Sequence, residues 1–466
     1  MKTIGSQEMY ALDLNCEYFG LSRLQLMENA GRGLAEEIAS RFDCGKVVIY
    51  AGTGNNGGDA FVAARFLRGF DVEIVLSGEV RSDIALKNLE ILKKSGFSIS
   101  KWGQHEHSDS DIAVDALIGT GFRGKLREPY RTIVEEINAS DSFTVSVDVP
   151  TGVDADTGRY EEAVRANLTV TFHRMKPGLI KAEDVTGEIV VKDIGIPDLF
   201  ERLVGPGDFR ITFRRFSDGH KGDHGKVLVV GGGEYVGAPF LSALAALKAG
   251  ADLVTLAVPE SVYYQVSSFS PEIIPVMLEG STISMQSVPE IADLAERHDV
   301  VVFGMGTLKK GEIAKEISKT ADKMVVDAGG LTDNLRCDSI LTPHRGEFIR
   351  VFGMDADQES VRKVSKKVKA TLLLKGREDI ISDGERLKIN RTGNAGMTVG
   401  GTGDVLAGVA GALFALNDDP FRAACSAAFV TGLAGDMCFG EMGYCFTAMD
   451  VIDRIPYAIK KICQLK

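Results

Sequence analysis

Between Arg391 and Leu413 the chain reads RTGNAGMTVGGTGDVLAGVAGAL, with Gly393, Gly396, Gly400, Gly401 and Gly403 crowded ahead of Val405, Leu406, Val409 and Leu413. The apolar spacing is that of a buried helix face, so a helix is predicted to begin near Gly403. Glycines without side chains let several backbone N–H groups converge, and the positive end of the helix dipole lies behind them. That is an anion site. A carboxylate at its rim, Asp404, would repel a bound phosphate unless it accepted a proton from a hydroxyl attacking the phosphoryl group, work worth on the order of 10²–10⁴ in rate. The plainer reading is a glycine-rich turn with Asp404 as an early-turn charge. The length of the glycine loop favours phosphate chemistry.

A second constellation lies in the first half, where polar residues recur at the ends of apolar runs. Asn55, Asn56 and Asp59 follow KVVIYA (Lys46 to Ala51); Asp115 and GTGFRGK (Gly119 to Lys125) close DIAVDALIG. Asp148 and Thr151 follow FTVSVDV, and His173 and Lys176 follow ANLTVTFH. One aspartate at a strand end is usually a cap or turn former; several at one sheet edge are harder to dismiss. Asp148 is the candidate proton-transfer residue, and Asn56, Asp115 and Thr151 offer oxygen ligands to a hard cation. Gly52, Gly54 and Gly57 also satisfy GxGxxG after a strand, with Glu73 where a ribose-binding acid would lie, which keeps an NAD-dependent dehydrogenase open as a rival. Gly119 to Lys125 approaches a P-loop, but Leu126 stands where Ser or Thr would hold magnesium.

The elements that must position these residues alternate between strand and helix. After DVEIVLSG, helices are expected at Ser82 to Ser95 and Tyr130 to Asn138, and a capped helix starts after Ser22. Such alternation predicts a parallel, doubly wound, Rossmann-like sheet whose ligands sit at the carboxyl ends of the strands. The second half repeats the rhythm: KVLVVGG, a helix at Phe240 to Ala249, DLVTLAVP, a helix near Met285 to Arg297, DVVVFGMG, KMVVDAGG, SILTPH, a helix near Val361 to Lys369, and TLLLKG. Helices rich in alanine then fill Val405 to Phe414, Phe421 to Met437 and Ala448 to Ile462. Two layered α/β domains, 1–207 and 208–466, fit the 466 residues, joined by a short packed link.

With 53 Lys and Arg against 65 Asp and Glu, the formal charge of -12 argues against a nucleic-acid or membrane-surface binder. The seven cysteines form no CxxC pair and no zinc spacing, the amino terminus lacks a signal-peptide run, and no apolar segment of 18 residues is apparent. A cytoplasmic protein with reduced thiols is expected.

GTGNNGGDAFVAAR, VDALIGTGFRG, VDVPTGVDADTG and TFHRMKPGL together resemble the NAD(P)H-hydrate epimerase domain of a bifunctional repair family, over nearly all of residues 1–205. The resemblance implies that Asn55, Asn56, Gly57, Gly58 and Asp59, with Gly119, Thr120, Gly121, Phe122, Arg123, Gly124 and Lys125, hold the damaged nucleotide. It implies Asp148 at the nicotinamide ring and a potassium ion on Asn56, Asp115 and Thr151. Ala60 stands for a usual glycine and Thr151 for a usual serine; the hydroxyl is kept.

HKGDHGKVLVVGG, GAPFLSALAALKAGADLVTLAVP, LTPHRGEF, LLLKGRED and NAGMTVGGTGDVLAG, over about residues 208–463, resemble the hydrate dehydratase domain, a branch of the ribokinase-like family. This implies a nucleotide site at Lys375, Gly376, Arg377, Glu378, Asp379 and Gly403, and Ala238, Gly306, His344 and Asp404 around the hydrated ring. Three turns depart from the family pattern, GMGT, HRGEF and GNAGM, and the lost prolines loosen those loops. For His344 a capping role is the plain alternative.

The expected reaction has Asp404 deprotonate the ring hydroxyl, which attacks the terminal phosphoryl of ADP or ATP; elimination of phosphate then restores NAD(P)H. Magnesium is the expected companion ion, without a visible ligand set, and a homo-oligomer is expected. The rivals predict other products: net redox for a dehydrogenase, a stable phosphate ester for a vitamin or sugar kinase, and no turnover in the first half for a scaffold module.

Overall fold

The structure, a computed structural model, describes residues 2–104, 109–213, 215 and 219–465. Its contacts divide the chain into two compact units, Met1–Asp198 and Leu199–Lys466.

In the first unit seven strands form one sheet: β1 (Gly45–Ala51), β2 (Phe70–Leu76), β3 (Ser98–Lys101), β4 (Ile112–Ala116), β5 (Phe143–Val147), β6 (Leu168–Phe172) and β7 (Glu188–Lys192). Their order is β3-β2-β1-β4-β5-β6-β7, and every pairing is parallel. The chain steps outward from β1 to β3, then returns to the other side of β1, so the order reverses between β1 and β4. A crevice at such a reversal is where a doubly wound sheet takes its ligand. Helices α1 (Ser6–Tyr18), α2 (Arg23–Ala39), α3 (Asn55–Phe66), α4 (Asp83–Lys94) and α5 (Tyr130–Ala139) surround it. Ser22 caps α2 in a capping box with Gln25, as its sequence predicts. Ile133, Val134 and Ile137 of α5 pack on Val48 and Tyr50, alternate residues of β1.

The second unit holds nine strands: β8 (Lys226–Val230), β9 (Leu253–Pro259), β10 (Ile274–Leu278), β11 (Val300–Phe303), β12 (Lys323–Val326), β13 (Asp338–Leu341), β14 (Thr371–Leu374), β15 (Asp379–Ser382) and β16 (Leu387–Asn390). They are ordered β10-β9-β8-β11-β12-β13-β14-β15-β16, parallel except for β15 and β16, which close one edge antiparallel. Alternation along β8 divides the core. Val227 and Val229 join the cluster built on the helices Gly237–Lys248, Thr402–Ala415, Pro420–Met442 and Ala448–Gln464. Leu228 and Val230 join the other cluster, with Ile291, Ile317, Phe348 and Val361. A sheet that feeds two cores is the middle layer of three.

Several expectations are corrected. β3, β7, β10, β15 and β16 were not anticipated, and burial explains why: β3, β7 and β10 are edge strands with mostly exposed or half-buried residues, so no continuous apolar run marks them. The expected helix at Met285 to Arg297 is a short 3-10 turn followed by Val288–Ala295. The contacts divide the chain after Asp198, and Val204 and Phe209 are buried in the second unit's core. An apolar segment of membrane-spanning length does exist: Pro420–Met442 has a mean hydropathy of 1.3, and 78% of its apolar window is buried within the fold. It is a core helix.

Candidate active sites

At the reversal point of the first sheet lies a cavity of about 760 Å³. The turn after β1 brings Asn55, Asn56 and Asp59 to its wall as α3 begins. Gly119, Thr120, Gly121 and Arg123 come from the loop after β4, and Asp148 from the end of β5. Asp148 has φ of 64°, the left-handed region that aspartate tolerates better than most side chains. Its Oδ1 lies 2.6 Å from Nζ of Lys176, whose side chain is 1% exposed, and accepts from the Thr171 hydroxyl at 2.9 Å. Lys176 also donates to the Phe172 carbonyl at 2.8 Å. The buried cation and carboxylate thus satisfy each other.

Asp115 is fully buried beneath the same loop. It accepts from the Ser146 hydroxyl at 2.8 Å and from Thr151, at 2.8 Å from the backbone N–H and 2.6 Å from the hydroxyl. Burial raises its pKa, partly offset by these bonds. None of its partners is cationic. Asn56 Nδ2 is buried without a hydrogen bond, and a Cβ at Gly119 would meet Asn56 Oδ1 at 2.8 Å and Asp148 Oδ2 at 3.6 Å. Asn56 and Asp148 therefore converge on the Gly119 backbone.

Other expected residues stand apart from the cavity. A Cβ on Gly57 would meet the Gly52 carbonyl at 2.5 Å and one on Gly58 would meet Met27, so both serve close packing of α3. Phe122 is buried, and Gly124 and Lys125 are not on the cavity wall; Lys125 pairs with Glu161 at 3.0 Å. Arg123 donates to Asp156 at 2.6 Å and to Ser6.

In the second unit a cavity of about 880 Å³ is lined by Ala238, Gly306, Glu347, Gly400, Gly401 and Asp404, among others. Gly401, at φ 97°, is the N-cap of the Thr402–Ala415 helix, a conformation that glycine adopts without strain. Asp404 follows in the first turn. Burial raises its pKa to about 7; Asp327 and Glu347 add to the rise, and Lys375 opposes it. Lys375 Nζ donates to Asp327 Oδ1 at 2.7 Å, and a Cβ on Gly403 would lie 3.1 Å from that Nζ. Burial works against the Lys375 charge, yet Asp327, Glu347 and Asp404 carry its pKa above the ordinary lysine value. Three carboxyls thus surround one ammonium at the start of a helix.

His344 takes the capping role: its Nδ1 accepts from the N–H groups of Gly346 at 3.0 Å and Glu347 at 3.2 Å, and it is not on the cavity wall. Among the expected nucleotide residues, Asp379 accepts from the Gly376 N–H at 3.1 Å and from Asn390 at 3.0 Å, which sets the turn between β14 and β15. Glu378 pairs with Arg391 at 2.7 Å, and Arg377 is exposed.

Sequence reasoning passed over three groups. Asp327 directly follows β12 much as Asp115 nearly ends β4, and the same strand-end rule could have found it. Glu347 was legible as the third residue after a capping His344. Asp13 of α1, on the wall of the first cavity, carries no motif at all.

Residues 23–178 match the family model described as YjeF-related protein N-terminus, and residues 227–457 match the one described as NAD(P)H-hydrate dehydratase. A bifunctional NAD(P)H-hydrate repair enzyme of Archaeoglobus fulgidus is 58% identical over 464 residues, 98% of this chain and 99% of that relative. The chain belongs to the bifunctional NAD(P)H-hydrate repair enzyme family. Another such family member, from Methanothermobacter thermautotrophicus, is 45% identical over 96% of this chain and 94% of its own length. The solved ADP/ATP-dependent NAD(P)H-hydrate dehydratase of Bacillus subtilis, co-crystallised with ATP and Mg2+, is 24% identical and covers 56% of this chain and 98% of its own, with a TM-score of 0.50. That likeness concerns fold alone, the layered α/β arrangement of the second unit.

Proposed function

We propose that the first unit interconverts the two epimers of hydrated NADH and NADPH and that the second dehydrates the S epimer at the expense of ADP or ATP. The observation that carries the reading is Asp404, a half-buried carboxyl titrating near 7 in the first turn of a glycine-capped helix, on one cavity wall with Ala238 and Gly306. A group with that pKa is a competent base at neutral pH. It takes the proton of the ring hydroxyl as that oxygen attacks the terminal phosphoryl. The P–O bond to the nucleotide breaks and AMP, or ADP when ATP is the donor, leaves with its electron pair. Phosphate, a far better leaving group than hydroxide, then departs with the ring oxygen as the neighbouring ring carbon loses a proton, and that C–H pair becomes the double bond of NAD(P)H. Lys375, beside Gly403, supplies positive charge to the phosphates, with the turn from Gly376 to Asp379 against the nucleotide.

In the first unit Asn55, Asn56, Asp59, Gly119, Thr120, Gly121 and Arg123 hold the nucleotide, Gly57, Gly58, Phe122, Gly124 and Lys125 shape the two loops that carry them, and Asp148 exchanges protons at the ring. Potassium fits the residues present. Asn56, Asp115 and Thr151 are all oxygen donors, and Asp115 is a buried carboxylate without a cationic partner among the described residues. Bound there, the ion supplies that missing charge and stiffens the loop at Gly119. No comparable set exists for magnesium: the described residues contain no group of three or more His, Cys, Asp or Glu suited to a metal. Magnesium would therefore enter on the nucleotide's phosphates. A cytoplasmic, homo-oligomeric enzyme accompanies this reading, and the seven unbridged cysteines support a reducing compartment.

The test is incubation of the purified protein with both hydrate epimers, with and without ADP or ATP, following reduced-cofactor absorbance. Restoration of both epimers only when nucleotide is present supports both activities. Restoration of one epimer alone would refute the first, and no restoration would refute the second.

A further inference from the structure

Three carboxyls and one ammonium meet in the first unit's cavity: Asp13 from α1, Asp59 from α3, Asp148 after β5, and Lys176 after β6. Only one of the carboxyls is neutralised. Lys176 pairs with Asp148 at 2.6 Å, whereas the side chains of Asp13 and Asp59 make no hydrogen bond or ion pair among the described residues. A carboxyl on a cavity wall without a protein partner costs solvation unless a proton or a ligand satisfies it. Asp59 belongs to the α3 turn already assigned to nucleotide binding, but Asp13 has no assigned part.

Resting on the proposed epimerase reading, we infer that Asp13 is the general acid of epimerisation, the partner of Asp148 across one catalytic cycle. The chemistry requires two such groups. Changing the configuration of the hydrated carbon by loss and return of water needs an acid for the departing hydroxyl and a base for the water that comes back. Protonated Asp13 donates its proton to the ring hydroxyl as the carbon–oxygen bond breaks, and the bonding pair leaves with oxygen as water. The lone pair of the adjacent ring nitrogen closes the carbon–nitrogen double bond of an iminium. Water then adds to the other face; its lone pair forms the new carbon–oxygen bond, the π pair returns to nitrogen, and Asp148 accepts the released proton. Transfer of that proton from Asp148 to Asp13 restores the starting state. No electrons are gained or lost overall.

The electrostatics suit the assignment. Burial raises the Asp13 pKa to about 7, with Asp148 adding to the rise and Lys176 and Arg23 opposing it. Asp59 is raised well above its ordinary value by burial and by Asp148 and Asp13, so it too favours its protonated form. The groups facing Asp13 are therefore Arg23 of α2, Asp59 of α3, Asp148 and Lys176, with Cys16 on its own helix. A general acid titrating near 7 gives a rate that falls as pH rises through that value.

The experiment measures interconversion of hydrated NADPH epimers by the full chain from pH 5.5 to pH 8.5, roughly the span in which such a group titrates, alongside incorporation of heavy oxygen from labelled water into the ring hydroxyl. In the unsubstituted protein, a descending limb near pH 7 is expected, with oxygen exchange at the rate of epimerisation. Asp13→Asn should lower kcat about 100-fold or more, leave KM within about threefold, abolish the limb and stop exchange. Asp13→Glu, which keeps a titratable acid, should retain the limb at a shifted position; it also carries the test if Asp13→Asn does not fold. Asp13→Asn with near-normal kcat, Asp13→Glu with an unmoved limb, or epimerisation without oxygen exchange would each overturn the assignment. If the unsubstituted chain fails to epimerise at all, the epimerase reading itself falls.

Discussion

Replacing Asp404 with asparagine should damage catalysis and strengthen the fold at once. The carboxyl titrates at about 7 in the folded protein against an ordinary aspartate value of 3.8, through burial first and then the charges of Asp327 and Glu347. Below pH 3.8 both folded and unfolded chains hold the proton, and the site is neutral in its effect. Between 3.8 and about 7 the folded chain keeps a proton that the unfolded chain releases, so the native state loses stability as pH rises through that window. Above it the cost is fully developed, at up to about 4 kcal/mol, from roughly three pH units at about 1.4 kcal/mol each. Asp404→Asn removes that cost without changing the side chain's size. Thermal unfolding of the two proteins side by side should show a variant advantage of about 1–2 kcal/mol at pH 5, growing to as much as about 4 kcal/mol at pH 8. The latter is a rise on the order of 10 °C in Tm. Nucleotide-dependent dehydration should meanwhile fall by about 10²–10⁴. A variant no more stable than the parent at pH 8, or an advantage of equal size at both pH values, would refute the electrostatic account of this site.

Lys176→Met should destabilise the first unit by about 3–5 kcal/mol, because it strands a partly buried Asp148 carboxylate; urea unfolding followed by a first-unit probe reads this, and an unchanged midpoint would contradict it. Gly408→Ala places a Cβ 2.0 Å from the Ser242 carbonyl, where the helices Gly237–Lys248 and Thr402–Ala415 cross, so a loss of about 1–3 kcal/mol is expected, read by calorimetry of the variant beside the parent chain. Thr151→Val keeps the shape but deletes the hydroxyl that joins Asp115 to the Ile118 N–H. The potassium concentration that half-activates epimerisation should rise at least about tenfold, and indifference to potassium in both proteins would remove the ion from the reading.

The central strands were legible because strands buried on both faces read as apolar runs, KVVIYA and KVLVVGG being the plainest. Edge strands such as IPVML and EIVVK lean on one neighbour and carry exposed positions, so they lack that signature. Asp115 and Asp148 were readable because a carboxylate just beyond a buried strand stands where sheets open. Asp13 was not: within ALDLN it looks like the polar face of an ordinary helix, and only the fold turns that face toward Lys176 and Asp148. Likewise the pairing of Lys375 with Asp327 joins residues 48 apart in sequence, a distance that no local pattern spans. The glycine turn before Asp404 sat in the sequence almost as folded, since its conformation is decided locally by Gly401.

Backbone geometry at position 148 limits which substitutions can be interpreted. With φ at 64°, an alanine there pays on the order of 1–2 kcal/mol of main-chain strain, and the end of β5 would rearrange along with the lost carboxylate. Silence from Asp148→Ala would thus confound a bent scaffold with missing chemistry. Asparagine, which occupies the left-handed basin readily, isolates the charge and is the cleaner genetic probe.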